Sequence, residues 1–230
     1  MPIGIIGAMD AEIVRLLENM DDVKQIHIQG NTYHQGQLAD QEVVLCKSGV
    51  GKVNAAICTQ LLITQFKAKE IIFTGVAGAI HEDLDIGDIC ISSECQQHDV
   101  DASSLGFEKG IIPYQESSIF KADPELIRLA EEAAKSIPDV KVLTGKILSG
   151  DQFISNVKTV ENLYRAYNGI CVEMEGAAVG HVCSLANIPF VIIRSMSDRA
   201  DHSASFNFVE FTKLAAERSC HMVQQMLKEA

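Results

Sequence analysis

Apolar residues follow two rhythms along this chain. Short unbroken runs bounded by glycine or charge read as buried strands, and runs with apolar positions three or four apart read as helices. The clearest unit covers residues 169–201, where apolar runs at 170–172 and 190–193 flank a helical segment at 177–186. A strand–helix–strand unit of this kind builds parallel sheets. Acidic residues stand where each run stops: Glu173 and Glu175 after the first, Asp198 after the second, with Arg194 beside it. Ligands of open α/β sheets bind outside the carboxyl ends of strands, so these groups are candidates for chemistry.

The same patterns place the other elements. A strand over 2–6 turns through Gly7-Ala8-Met9 into a helix over 10–19, with Asp10 as N-cap and Ile13, Leu16 and Leu17 as its apolar stripe. Glu12 then lies in the first helical turn, where the residues alone read as a solvated acid favoured by the helix dipole. A meander follows over 24–29, 32–38 and 42–48. Ser48-Gly49-Val50-Gly51-Lys52 opens a helix to residue 66 with Val53, Ile57, Leu61 and Leu62 inward. That loop lacks the spacing of a triphosphate-binding loop, and its glycines fit close backbone approach instead.

A strand over 70–74 ends in Gly75-Val76-Ala77-Gly78-Ala79, and another covers 89–92. The irregular stretch 96–118 is long enough to act as a lid, interface or binding loop. It holds His98 beside Asp99, but neighbours in a loop rarely face each other, so no catalytic pair is expected there. Asp123-Pro124 opens a helix to residue 136, a strand covers 140–148, and Ser149-Gly150-Asp151-Gln152-Phe153-Ile154 follows. Phe153 reads either as core or as a stacking platform for a flat base. Helices over 157–167 and 208–227 complete the chain, the last burying Phe211, Leu214, Ala215, Cys220 or Val223. No linker or repeat interrupts this order, so one domain over 1–230 is expected.

Composition narrows the class. Hydrophobic residues make up 47% and charged residues 22% of the 230, and mean hydropathy is +0.11, which suits a filled core and excludes disorder. A net charge of −12 disfavours nucleic acid and anionic membranes as partners and leaves a small molecule. Seven cysteines without C-x-x-C spacing fit small hydrophobes in a reduced cytoplasm rather than zinc or disulfide frameworks. No metal and no cofactor are expected. The first residues lack a signal-peptide pattern and no apolar run is long enough to span a bilayer.

Six motifs then occur together and in order: G-I-I-G-A-M-x-x-E at 4–12, K-S-G-V-G-K-V-N-A-A at 47–56, T-G-x-A-G at 74–78, S-G-D-x-F-I at 149–154, V-E-M-E-G at 172–176 and R-S-M-S-D at 194–198. Together they resemble the 5′-methylthioadenosine/S-adenosylhomocysteine nucleosidases of the purine nucleoside phosphorylase superfamily. The resemblance implies a three-layer α/β/α sandwich around a mixed, partly barrel-like sheet, a homodimer, and irreversible hydrolysis of a ribosyl–adenine bond. By the same resemblance Glu12 activates water, Asp198 protonates adenine N7, Glu175 grips the ribose hydroxyls, and Arg194 orients the water and Glu175.

The chemistry agrees with those residue types. Inverting glycoside hydrolysis uses an acid on one side of the bond and a base holding water on the other. A free aspartic acid titrates near 3.9, so an Asp that keeps its proton at neutral pH needs a bias of roughly 4 kcal/mol. Burial and neighbouring carboxylates supply shifts of that size.

The resemblance further implies that Phe153 stacks on the purine, that backbone at Phe153 and Ile154 reads its edge, that Met174 packs on the ribose, that Ser197 is a further substrate contact, and that Gly78 lets the chain pass close by. The 5′-alkylthio slot is implied to use Met9, Val50 and Phe208, with Ala102, Leu105, Phe107 and Pro113 of the partner subunit. Val76 stands where the family pattern often has serine, and residues 102, 105 and 107 are not its commonest choices, which bears on 5′-substituent preference more than on reaction type. The rival readings are a phosphorylase, a hydrolase of another nucleoside such as futalosine, and a non-catalytic nucleoside-binding protein. Arginines around an anion are missing from the first motif, and a pure binder gains little from burying three carboxylates.

Overall fold

In the computed structural model, residues 1–200 and 204–229 are described, without the side chains of 204–207, 209 and 210. The strands are β1 (Ile3–Gly7), β2 (Asp21–Ile28), β3 (Asn31–Leu38), β4 (Gln41–Lys47), β5 (Glu70–Ala79), β6 (Ile89–Gln97), β7 (Ile119–Lys121), β8 (Val142–Ser149), β9 (Gly169–Glu173) and β10 (Phe190–Asp198). The helices are α1 (Asp10–Glu18), α2 (Lys52–Thr64), α3 (Pro124–Ala134), α4 (Val157–Tyr167), α5 (Gly176–Ala186) and α6 (Ala204–Glu229).

One mixed sheet carries the strands in the order β10-β6-β8-β9-β5-β1-β4-β3-β2, with β7 on β6. A further pairing of β10 with β5 closes the first five strands into a barrel, from which β1, β4, β3 and β2 extend. Alternation along the strands explains the two covering layers. Ile71, Phe73, Phe190 and Ile192 face α2 and α5, whereas Ile72, Val191 and Ile193 face α1, α3 and α6. Burying each such side chain contributes roughly 1.5–3 kcal/mol. This is the three-layer, partly barrel-like arrangement expected from the resemblance. All seven cysteines are free and buried within it.

Several expectations need correction. The β9–α5–β10 unit does not form adjacent parallel strands: β5 lies between them, antiparallel to β9 and parallel to β10. Barrel closure, a long-range property, decides this. Asp10 does not cap α1. Met9 is the N-cap, and Glu12 reaches back to its N–H, while Asp10 pairs with Lys47 at 2.8 Å. On α2, Val53 and Ile57 point outward, 69% and 40% exposed, and Ala55, Cys58, Leu61 and Leu62 form the buried face. Leu214 is exposed and Phe211 only partly buried, while Ala215, Cys220 and Val223 are buried as expected. Strands β5 and β10 run on past their apolar cores to Ala79 and Asp198, because neighbouring strands continue to bond their glycine, serine and arginine positions. The short β7 lies in a region the apolar pattern leaves blank.

Candidate active site

Four carboxylates meet around one cleft, each brought there by a different backbone device. Glu12 sits in the first turn of α1, beyond the carboxyl end of β1. Its Oε2 accepts hydrogen bonds from Ala8 N–H at 2.6 Å and Met9 N–H at 2.9 Å, and Oε1 accepts one from Val76 N–H at 3.0 Å. A Cβ on Gly75 would lie 2.5 Å from Glu12 Oε1 and 2.9 Å from Arg194 Nη1, so only a bare backbone lets β5 pass beneath this pair. Burial raises the Glu12 pKa, and the guanidinium of Arg194 and the three N–H donors oppose the rise without cancelling it.

Glu173 ends β9 and is spent on structure. It accepts from the N–H groups of Glu175 and Gly176, caps the start of α5, takes the Ser149 hydroxyl, and pairs with Arg194 Nη2 at 2.5 Å. Glu175, two residues on, accepts among the described residues from one such donor, Gly51 N–H at 2.7 Å. Burial and the adjacent Glu173 push its pKa up to about 8. Asp198 is the last residue of β10, aimed by a register shift between Met196 and Asp198. Ser197 Oγ donates to its Oδ2 at 2.9 Å and Ala200 N–H to its Oδ1 at 2.8 Å.

The cleft between these acids has a volume of about 580 Å³, part of it open to solvent. Glu12, Glu175 and Asp198 line it together with Met9, Val50, Gly78, Phe153, Ile154, Met174, Ser197 and Phe208. Its remaining walls are Ala8, Val76, Ala77, Gln152, Val172 and Glu173. No lysine or arginine is among these described lining residues. Phe153 is 47% exposed and meets Phe208 edge to face, with ring centroids 5.5 Å apart. Apolar and aromatic side chains lining one cleft with several acids suit a flat heterocycle joined to a polyhydroxylated ring.

The phosphorylase superfamily model matches residues 2–228. The 5′-methylthioadenosine/S-adenosylhomocysteine nucleosidase of Shewanella pealeana is 42% identical over the whole of both chains. The solved structure of the Neisseria meningitidis nucleosidase of that name, in complex with methylthio-immucillin-A, superposes with a TM-score of 0.96 at 38% identity, covering 100% of this chain and 99% of that one. The chain belongs to this nucleosidase family of the phosphorylase superfamily. A futalosine hydrolase of Helicobacter pylori is also similar, with a TM-score of 0.95 at 34% identity over 100% of this chain and 98% of that one.

Within the nucleosidase framework, one expectation changes. Arg194 lies behind the cleft, 1% exposed, with its guanidinium over the Phe73 ring at 3.9 Å. Its ion pair goes to Glu173, whose carboxylate also caps α5, and not to Glu175. Ala102, Leu105, Phe107 and Pro113, expected from a partner subunit, do not line the cleft of their own chain; they lie in the stretch after β6, with Leu105 68% exposed. Sequence reasoning missed Gly75 and the backbone N–H of Val76 as partners of Glu12. The signal lay in the T-G-x-A-G motif, but only the register of β5 beside β1 reveals that Val76 N–H faces Glu12. The Val76 side chain packs with Ala215, Ala216, Met9 and Phe208. No group of described residues could hold a metal ion, and no helix among them is long and apolar enough to cross a membrane.

Proposed function

We propose that this chain hydrolyses the N-glycosidic bond of 5′-methylthioadenosine and S-adenosylhomocysteine, and of 5′-deoxyadenosine, giving adenine and the 5-substituted ribose for methionine salvage and disposal of a methyl-transfer by-product. The observation that carries this reading is the convergence of Glu12, Glu175 and Asp198 on one cleft that also presents Phe153. Glu12 takes a proton from water as the water oxygen attacks C1′. A base whose pKa is raised by burial accepts that proton more readily than an ordinary carboxylate. The C1′–N9 bond breaks, its electron pair passes into the purine, and Asp198 delivers a proton to N7. Glu175 accepts the ribose hydroxyls, and the positive charge that develops on the sugar draws its raised pKa back down, so that an ionised carboxylate faces the cationic centre. Arg194 acts from behind, holding Glu173 in place and biasing Glu12 toward its ionised form.

Phosphorolysis fits less well, since no basic side chain among the described residues lines the cleft to receive phosphate and the acids there repel it. Hydrolysis of futalosine or a related nucleoside is the second reading, favoured by the similar Helicobacter pylori enzyme. The chain is read as a single nucleosidase domain over 1–230, working in the cytoplasm as a homodimer. Support for the dimer comes from the apolar Val53 and Ile57 left outward on α2 and from the exposed Leu105, surfaces that association covers. In that dimer the partner's Ala102, Leu105, Phe107 and Pro113 close the 5′ slot. The test is adenine release from each nucleoside in phosphate-free buffer. Turnover of the 5′-thio nucleosides supports the reading, dependence on phosphate refutes it, and turnover of futalosine alone selects the second reading.

A further inference from the structure

Two features singled out along the sequence take no part in the chemistry above: Lys52, after the glycine turn, and Asp99, after His98. The structure joins them. Lys52 Nζ donates to Asp99 Oδ1 at 2.5 Å and to Gln97 Oε1 at 3.1 Å. Asp99 Oδ2 accepts from Asp151 N–H at 2.9 Å, and Asp151 Oδ1 accepts from Lys52 N–H at 2.9 Å. These bonds close a ring of three residues, with the Lys52 and Asp99 side chains 18% and 15% exposed. Burial alone would raise the Asp99 pKa, but the bonds from Lys52 and Asp151 outweigh it and hold the carboxyl below its ordinary value. His98 takes no part: its Nε2 is buried without a partner among the described residues, packed where a Cβ on Gly150 would lie.

None of the three ring residues lines the cleft. Each of the two loops they tie together reaches it one or two residues away. Gly51, next to Lys52, donates its N–H to Glu175. Asp151 immediately precedes Gln152, Phe153 and Ile154, which line the same cleft. We propose that Lys52, Asp99 and Asp151 are positioning residues, a clamp that fixes the spacing between the sugar-binding and base-binding halves of the cleft. This rests on the nucleosidase reading, in which Glu175 holds ribose and Phe153 holds adenine. A ligand that spans both halves gains from their fixed spacing, since engaging one half presents its other end at high effective concentration. A ligand that occupies one half gains nothing.

The two ligand types separate this role from simple scaffolding. Steady-state KM for 5′-methylthioadenosine and the inhibition constant of free adenine are measured for the full chain and for Asp99→Asn, Lys52→Met and Lys52→Arg, with thermal midpoints alongside. Asp99→Asn and Lys52→Met are expected to raise the nucleoside KM by about tenfold or more, leave adenine inhibition within about twofold, and be largely rescued in Lys52→Arg. Unchanged KM, or equal weakening of nucleoside and adenine, would overturn the clamp. So would failure of both disruptive variants to fold while Lys52→Arg folds, because the ring would then be scaffold. Wild-type protein that releases no adenine would overturn the nucleosidase reading and the clamp with it, whereas wild-type turnover with equal losses in the variants removes the clamp alone.

Discussion

Gly75→Ala is the sharpest perturbation of the site that leaves every acid in the sequence. The added methyl group would meet Glu12 Oε1 at 2.5 Å and Arg194 Nη1 at 2.9 Å, against an ordinary contact of about 3.4 Å or more. Neither neighbour is free to swing, since Glu12 is held by three N–H groups and Arg194 by Glu173 and the Phe73 ring. The Glu12 oxygen must retreat by about 0.9 Å, the shortfall from that contact distance. A retreat of this size away from β5 takes its 3.0 Å bond from Val76 N–H out of hydrogen-bond range. Losing a charged hydrogen bond costs about 1.5–3 kcal/mol, and misplacing a reacting group by about 1 Å costs about 10²-fold in rate. Glycine to alanine within a strand is otherwise favourable by roughly 0.5–1 kcal/mol, so the sign of the stability change is informative by itself. The expected outcome is a lower thermal midpoint and kcat for adenine release reduced at least 10²-fold, with adenine inhibition little changed. A variant that keeps kcat within about threefold of wild type would refute the placement of Glu12 as the base.

Further outcomes follow from the same geometry. The Glu175 pKa is raised from 4.5 to about 8, so the folded state binds more protons than the unfolded chain between those values; this stabilisation is full below pH 4.5 and is lost as pH rises through about 8. Denaturant unfolding of Glu175→Gln should therefore show a flatter decline over that window, and an unaltered slope would contradict the assignment. Glu173→Gln strips Arg194 of its buried partner and should cost about 3–5 kcal/mol by urea titration, with a cost under about 1 kcal/mol counting against the pairing. Phe153→Ala removes a ring on which a purine can stack, and the nucleoside KM should rise about tenfold or more; an unchanged KM would remove Phe153 from the base site. Val53→Asp on α2 should shift the protein to monomer in analytical ultracentrifugation if that face is the dimer contact, and an unshifted dimer would rule the face out.

Much of this was legible in the chain because strand and helix signals are local. The limits of α4, the Asp123 cap of α3 and the meander of β2, β3 and β4 follow from periodicity and turn residues, and the structure places them within a few residues of those expectations. Closure of the barrel through β5 and β10 was not legible, since it depends on strands far apart in sequence. On α2 both helix faces carry apolar residues, so spacing alone could not tell Val53 and Ile57 from the side that packs on α5. The acids were readable as residues at strand ends. Their division of labour was not: Glu173 and Glu175 differ by two positions and both line the cleft, but Arg194, Ser149 and the first N–H groups of α5 engage Glu173, while Glu175 accepts from Gly51 N–H and is raised in pKa.

The most direct measurement is oxygen-isotope tracing of the reaction. 5′-Methylthioadenosine is incubated with the protein in water enriched in heavy oxygen, without phosphate, and the early products are weighed by mass spectrometry before the sugar exchanges with solvent. Attack by a water molecule at C1′ requires adenine without label and one heavy oxygen in the thio-ribose, with both products lost in Glu12→Gln. Absence of adenine until phosphate is added, with a phosphorylated sugar as the product, would contradict it.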